Sequence, residues 1–150
     1  MLQRQKHHPD ESESWDEGFT LIELLVVIII IGILAAVAIP IFLNQRSQAS
    51  DAAVKSDLRS VARGQETLFS STQNYGTIAA IVADGTALVV SPTVTVTVRS
   101  YNAQGYCLRG TSSQSSNVWF YDSRSGGLQA KGSAGCPIAT GGTVGDSITR

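Results

Sequence analysis

The sequence predicts an α+β protein, in which a long N-terminal helix, bare along its first half, leads into a small antiparallel sheet. Three observations predict it. Residues 24–43 (LLVVIIIIGILAAVAIPIFL) are twenty residues without a charge. Val54, Leu58, Val61, Gln65 and Leu68 then step by four, three, four and three, the spacing of one helical face with a single polar lapse. Pro92-Thr-Val-Thr-Val-Thr-Val98 alternates strictly, valines on one side and threonines on the other, as a half-buried strand does. At 150 residues the chain makes one small domain, or one domain plus an appendage.

With 43% apolar and 15% charged residues the average resembles an ordinary soluble protein, but the apolar material is concentrated in the uncharged block. Without that block there is enough left for a small sheet and too little for a large core. The net charge of −1 gives no sign of a nucleic-acid partner held by electrostatics. Residues 1–18 carry Arg4 and Lys6 against Asp10, Glu11, Glu13, Asp16 and Glu17, while residues 19–150 balance to +2.

As a helix the block spans about 30 Å, the thickness of a bilayer's hydrocarbon. It is apolar all round, so it requires lipid or an equally dry protein environment. Gly32 and Pro40 interrupt it. Proline lacks a backbone donor and crowds the preceding turn, so a kink is expected near Pro40, which membrane helices tolerate. Glu23 stands at the edge of the block. A carboxylate costs roughly 2.5–3.5 kcal/mol at mid-span and less near an edge. Two readings of Glu23 stand: it marks the polar boundary of the span, or it awaits a cationic partner in a water-poor setting.

Gly18-Phe19-Thr20-Leu21-Ile22-Glu23, running straight into the apolar block, resembles the class III signal of type IV pilins. The resemblance extends from Gly18 to Gln45. It rests on the combination of glycine, phenylalanine, glutamate four residues later and a long apolar helix. It implies that a prepilin peptidase cuts between Gly18 and Phe19 and that Phe19 becomes the N-methylated end. Glu23 matches the family's glutamate that pairs with the amino terminus of a neighbouring subunit, two charges tolerable in a buried setting only as a pair. Gly32 and Pro40 match the pair between which family members lose helical order on assembly, and both are poor helix formers. The implied organisation is a leader over 1–18, a transmembrane and filament-core half-helix over 19–45, and a globular head of type IV pilin-like fold over 46–150.

The leader departs from the pattern of many family members. It is acidic, with Glu17 where Lys or Arg often precedes the glycine, and it resembles leaders of Gram-positive pilins. Only Arg4 and Lys6 favour a cytoplasmic N-terminus, although acidic residues count little in that rule. Ala36-Val37-Ala38 also resembles a secretory A-x-A site. Against a secretory signal stand the acidic flank, Glu23, the length of the block and Pro40 close after the cut. The mature terminal residue separates the cases: Phe19 for a pilin, Ile39 for a secretory signal, Met1 for an uncleaved anchor.

The amphipathic stretch extends one helix from about Thr20 to about Ser71, roughly 78 Å of it. Asn74–Gly76 is the expected stop. Beyond the alternating run, Gly105–Arg109 and Asn117–Tyr121 are strand candidates. Asp122–Gly127 reads as a turn, with Gly126-Gly127 at a hairpin, leading into Leu128–Ala130. Weaker strand candidates lie at Ile78–Val82 and Ala87–Val90. Packed on the amphipathic half of the helix, these strands give an α+β head. Cys107 and Cys136 are the only cysteines. Outside the membrane two cysteines most often pair, and closing a loop of about 30 residues contributes on the order of 3.5 kcal/mol. The resemblance implies the same pairing, bounding the C-terminal loop. The alternative, a metal site, lacks ligands, because His7 and His8 lie in the leader. The glycine- and threonine-rich tail after Pro137 is expected to be mobile.

No histidine follows residue 18, and no base is evident to activate the abundant serines and threonines, so neither an enzyme nor a cofactor is expected. The expected role is a structural subunit of a type IV pilus: a single-pass membrane precursor, then part of a surface filament for adhesion, motility or DNA uptake. The expected partners are further copies of the chain in a helical homopolymer, the prepilin peptidase, the pilus assembly platform and its motor, and the membrane; no nucleic acid is required. The alternatives are a minor pilin or pseudopilin of a type II secretion or competence machine, and a monomeric membrane-anchored binding module.

Overall fold

The computed structural model describes residues 18–136 and 147–149. Helix α1 (Leu21–Thr72) is 52 residues long, and a short helix α2 (Ile78–Ala83) follows. Five strands complete the fold: β1 (Val94–Asn102), β2 (Gly105–Ser112), β3 (Ser115–Asp122), β4 (Gly127–Leu128) and β5 (Ser147–Thr149). The chain divides into two units at the Ile39–Pro40 junction.

Among the described residues, the first unit is apolar helix with no buried side chain. From Phe19 to Leu43 every large apolar side chain is 44–83% exposed, and none of its most apolar stretch is buried. By length and composition this helix can cross a membrane. Hydrogen bonding keeps α1 helical through Gly32 and through Pro40, which lies inside it.

The second unit has a single core. Val54, Leu58, Val61, Ala62 and Leu68 of α1 are buried in one cluster with Val94, Val96 and Val98 of β1, Leu108 of β2 and Trp119 of β3. The sheet order is β4-β3-β2-β1-β5, with every neighbouring pair antiparallel. The valines of the alternating run point inward while Thr95 and Thr97 take the other face, as period-two patterning demands. Gly110 in β2 lets the backbone approach the helix closely: a Cβ there would lie 2.6 Å from Val54 Cγ1 and 3.0 Å from Leu58 Cγ. A disulfide joins Cys107 to Cys136, with Cα atoms 6.0 Å apart.

Helix α1 stops at Thr72, one residue past the expected end, because Gln73 adopts the left-handed conformation (φ 57°) and its N–H donates to Phe69 O at 2.9 Å. Three details differ from expectation. Residues Ile78–Val82 belong to a helix: Thr77 Oγ1 accepts from Ala80 N at 3.1 Å, and Ile78 and Ile81, three apart, are the buried pair. Residues 87–90 join no ladder, and the next amide, Ser91 N, donates to Asp57 Oδ2 at 2.7 Å. Ser147–Thr149, inside the tail expected to be mobile, pairs with β1 as an edge strand, Ile148 opposite Val96. The leader residues 1–17, with His7 and His8, and the tail residues 137–146 and 150 lie outside the described residues.

Candidate functional site

Gly18, Phe19 and Thr20 precede the helix and have no regular structure, and Phe19 is 83% exposed. Helix α1 begins immediately afterwards for a local reason. The carbonyl of Thr20 accepts from Leu24 N at 3.3 Å, the first helical hydrogen bond. The hydroxyl Oγ1 of Thr20 accepts from Glu23 N at 3.3 Å and donates to Glu23 Oε2 at 3.1 Å. Thr20 N also donates to that oxygen, at 3.4 Å. This is a reciprocal capping box: residues N-cap and N3 satisfy each other's otherwise orphaned groups. The anionic side chain also faces the positive end of the helix dipole. Thr20 was not among the residues expected to matter, although Thr-x-x-Glu before an apolar run is a readable sign.

The structure thus brings Thr20 and Glu23 together and leaves Gly18 and Phe19 beside them outside the helix. Gly32 and Pro40 lie nine and seventeen residues beyond Glu23, within α1. Among the described residues a Cβ at Gly32 would meet nothing within 4 Å, so packing against them does not require a glycine there.

The head carries two polar clusters. Asp51, buried on α1, accepts from Ser115 Oγ and Asn117 Nδ2, both at 2.6 Å. Burial alone pushes its carboxyl upward, but these donors, with Lys131 nearby, outweigh burial and hold it below the usual carboxylate value. One turn on, Lys55 Nζ lies 3.9 Å from the centre of the Trp119 ring. In the second cluster Tyr106 OH donates to Glu66 Oε1 (3.0 Å) and to Ala62 O (3.2 Å), and Tyr75 OH donates to Glu66 Oε2 (3.2 Å). Burial, with Glu66 adding to it, raises both phenols above their ordinary value. Both clusters tie α1 to the rest of the head. Among the described residues no group of three His, Cys, Asp or Glu side chains is placed to hold a metal ion.

Residues 16–39 match the prokaryotic N-terminal methylation motif. The chain is 41% identical over 106 residues to the type IV wide pilus major component PilA4 of Thermus thermophilus, covering 69% of this chain and 79% of that one. The chain belongs to the type IV pilin family. It is also 41% identical over 64 residues to the type IV major pilin protein PilA of Myxococcus xanthus, which covers 43% of this chain but only 29% of that protein's length. The type II secretion system core protein G of Pectobacterium carotovorum is 33% identical over 92 residues, 61% of this chain and 57% of its own. In this pilin the long apolar helix and the small antiparallel sheet expected from the sequence are both present.

Proposed function

We propose that this pilin is made as a membrane-anchored precursor and polymerises into a surface filament. A prepilin peptidase cuts between Gly18 and Phe19, Phe19 is N-methylated, and residues 19–45 hold the chain in the membrane as a single pass until assembly. The assembly platform and motor then transfer this half-helix from lipid to the flanks of neighbouring copies. The observation that carries the reading is the apolar half of α1: every large apolar side chain from Phe19 to Leu43 is exposed, with one carboxylate, Glu23, near its start. Burying each such side chain is worth about 1.5–3 kcal/mol, so the surface demands lipid first and protein afterwards. A head-to-tail contact of this kind does not close on itself and propagates a fibre.

Glu23 pairs with the free amine of the next copy's Phe19, which fixes the axial register. Gly32 and Pro40 bound a stretch that is helical in the single chain and loses helical order on assembly, since neither residue favours the helix intrinsically. Replacing Glu23 with Ala leaves membrane insertion intact, because removing a charge only eases it, and abolishes or strongly slows filament formation. Sheared surface fractions and terminal-residue mass measurement read both steps. Normal fibre yield from Glu23→Ala counts against the pairing, and a mature protein starting at Met1 counts against the whole scheme.

A second reading, a pseudopilin of a secretion machine, is favoured by the likeness to the type II secretion system core protein G. Abundance separates the two: a major pilin dominates sheared filaments and a pseudopilin does not.

A further inference from the structure

We propose that the membrane-held subunit has a second processing site, Ala38–Ile39, at which an endopeptidase on the outer face of the membrane releases the head as a dispersed protein. This second cut rests on the single-pass orientation proposed above, with the head outside. Ala36-Val37-Ala38 points to it, because small residues three and one before the bond are what secretory endopeptidases read. The twelve uncharged residues Leu24–Ala35 ahead of it fit the apolar stretch of roughly 7–15 residues that such a signal carries. Ala36 and Ala38 are both exposed on α1, open to an enzyme before assembly. Pro40 lies inside the helix without an N–H, so the bond that residue 40 would donate to Ala36 O cannot form. The missing bond is the one that would arch over Ala38–Ile39. Its absence eases local opening into the extended backbone that a peptidase groove accepts.

The product is a complete head. The second compact unit begins at Pro40, one residue past the cut. The whole buried cluster, from Val54 onward, stays with the released part, as does the Cys107–Cys136 disulfide. Hydrolysis breaks the bond from Ala38 C to Ile39 N; water supplies the hydroxyl that completes the Ala38 carboxyl group and the hydrogen that completes the Ile39 amine. Of the uncharged block only Ile39–Leu43 remains, far short of the roughly 20 residues a span needs. Ala38 stands five residues, about 7.5 Å of helix, from the head-side end of the block, within reach of an enzyme at the outer surface. The acidic flank before the block and the apolar residues after the cut make this the slower event, so it competes with assembly. Neighbouring copies that cover the half-helix in a filament also shield the site.

The test expresses the full chain as parent, Ala38→Leu, Val37→Leu and Pro40→Ala, and measures intact masses in the culture medium. Leucine at 38 keeps the helix apolar and is too large for a pocket that takes alanine; leucine at 37 makes its change at the position such enzymes do not read. The parent medium is expected to hold a chain that starts at Ile39. Ala38→Leu is expected to lower that chain by about tenfold or more and Val37→Leu to leave it within about twofold. Pro40→Ala restores the helical bond over the site and is expected to lower it by about tenfold. Absence of the Ile39 chain from the parent medium, its persistence in Ala38→Leu, or an equal loss in Val37→Leu overturns the second cut. Undiminished release from Pro40→Ala overturns the role given to the missing bond. A membrane-impermeant amine reagent on intact cells reads the orientation separately through Lys131, which is exposed on the head. An unlabelled Lys131 overturns the head-outside reading, whereas a labelled one without any Ile39 chain overturns only the second cut.

Discussion

Leu34 and Leu58 are the same residue on one helix, yet one is 64% exposed and the other 0%. Among the described residues the helix around Leu34 has no buried side chain, whereas the helix around Leu58 supplies the centre of a packed core. Both halves belong to the one continuous helix α1, so helicity cannot be what distinguishes them. The difference lies in what each half leaves for others to do. The second half has its apolar stripe covered by its own sheet. The first half has no stripe, only an apolar cylinder, and its covering must come from lipid or from other copies. A subunit that is finished at one end and unfinished at the other is what a polymer requires.

The sharpest way to break this comparison is a matched pair of truncations. Leu58→Ala opens a cavity in the head core and is expected to destabilise the head by about 2–5 kcal/mol. Leu34→Ala removes the same atoms from an exposed position and is expected to leave the head's melting unchanged. Chemical denaturation of the detergent-solubilised chain, followed by near-ultraviolet circular dichroism, measures both. Equal shifts in the two variants would mean that the halves are not energetically separate.

Much of this division was legible in the sequence, because it follows from periodicity. The uncharged block, the four-three stepping after it and the valine–threonine alternation each report one environment per element. Helix α1 is therefore found within a residue of the expected ends, β2 and β3 contain their expected runs, and β1 takes up the expected run from Val94 onward, with Pro92 and Thr93 in a turn before it. The misses occur where a single side chain overrides pattern. Ile78–Ala83 is rich in residues that suit strands, and one hydroxyl cap at Thr77 with two isoleucines three apart makes it a helix. Ser147–Thr149 is too short to declare itself and exists as a strand only because β1 offers an open edge. Around the site, Gly18, Phe19 and Glu23 were visible as a motif. The reciprocal bonds of Thr20 were overlooked because attention fell on the acid and not on its donor.

Gln65 belongs with these misses, and it yields the next prediction. In the apolar stepping it is a lapse; in the structure it is fully buried and clamps the chain beyond the helix. Its Nε2 donates to Gly76 O at 2.7 Å and its Oε1 accepts from Gly76 N at 3.0 Å. Removing the amide leaves a buried donor and a buried acceptor unsatisfied. Gln65→Ala is expected to cost about 2 kcal/mol and to release the Gly76 amide to hydrogen exchange while α1 around Leu58 stays protected. Retained protection at Gly76 would show that the clamp is not what holds this turn. The comparison is thereby sharpened: even a polar residue in the second half is committed to its own head.

The smallest expected effect concerns pH, and it also separates the halves. Asp51 is held below the ordinary carboxylate value by Ser115, Asn117 and Lys131, against burial, which acts the other way. A group whose folded-state pKa is depressed binds its proton more readily in the unfolded chain. Its contribution is therefore fully present above about pH 4 and is lost as pH falls through the folded value. Asp51→Asn should flatten part of the acid limb of head stability below about pH 4, seen as a smaller loss between pH 4 and pH 2 than the parent shows. Other carboxylates titrate in the same window, so the informative quantity is the difference between the two curves, not either slope alone. An unchanged difference across that window would mean that Ser115 and Asn117 serve the asparagine as well as the acid. Asp51 would then act as a hydrogen-bond acceptor joining α1 to β3, with its charge immaterial to the fold.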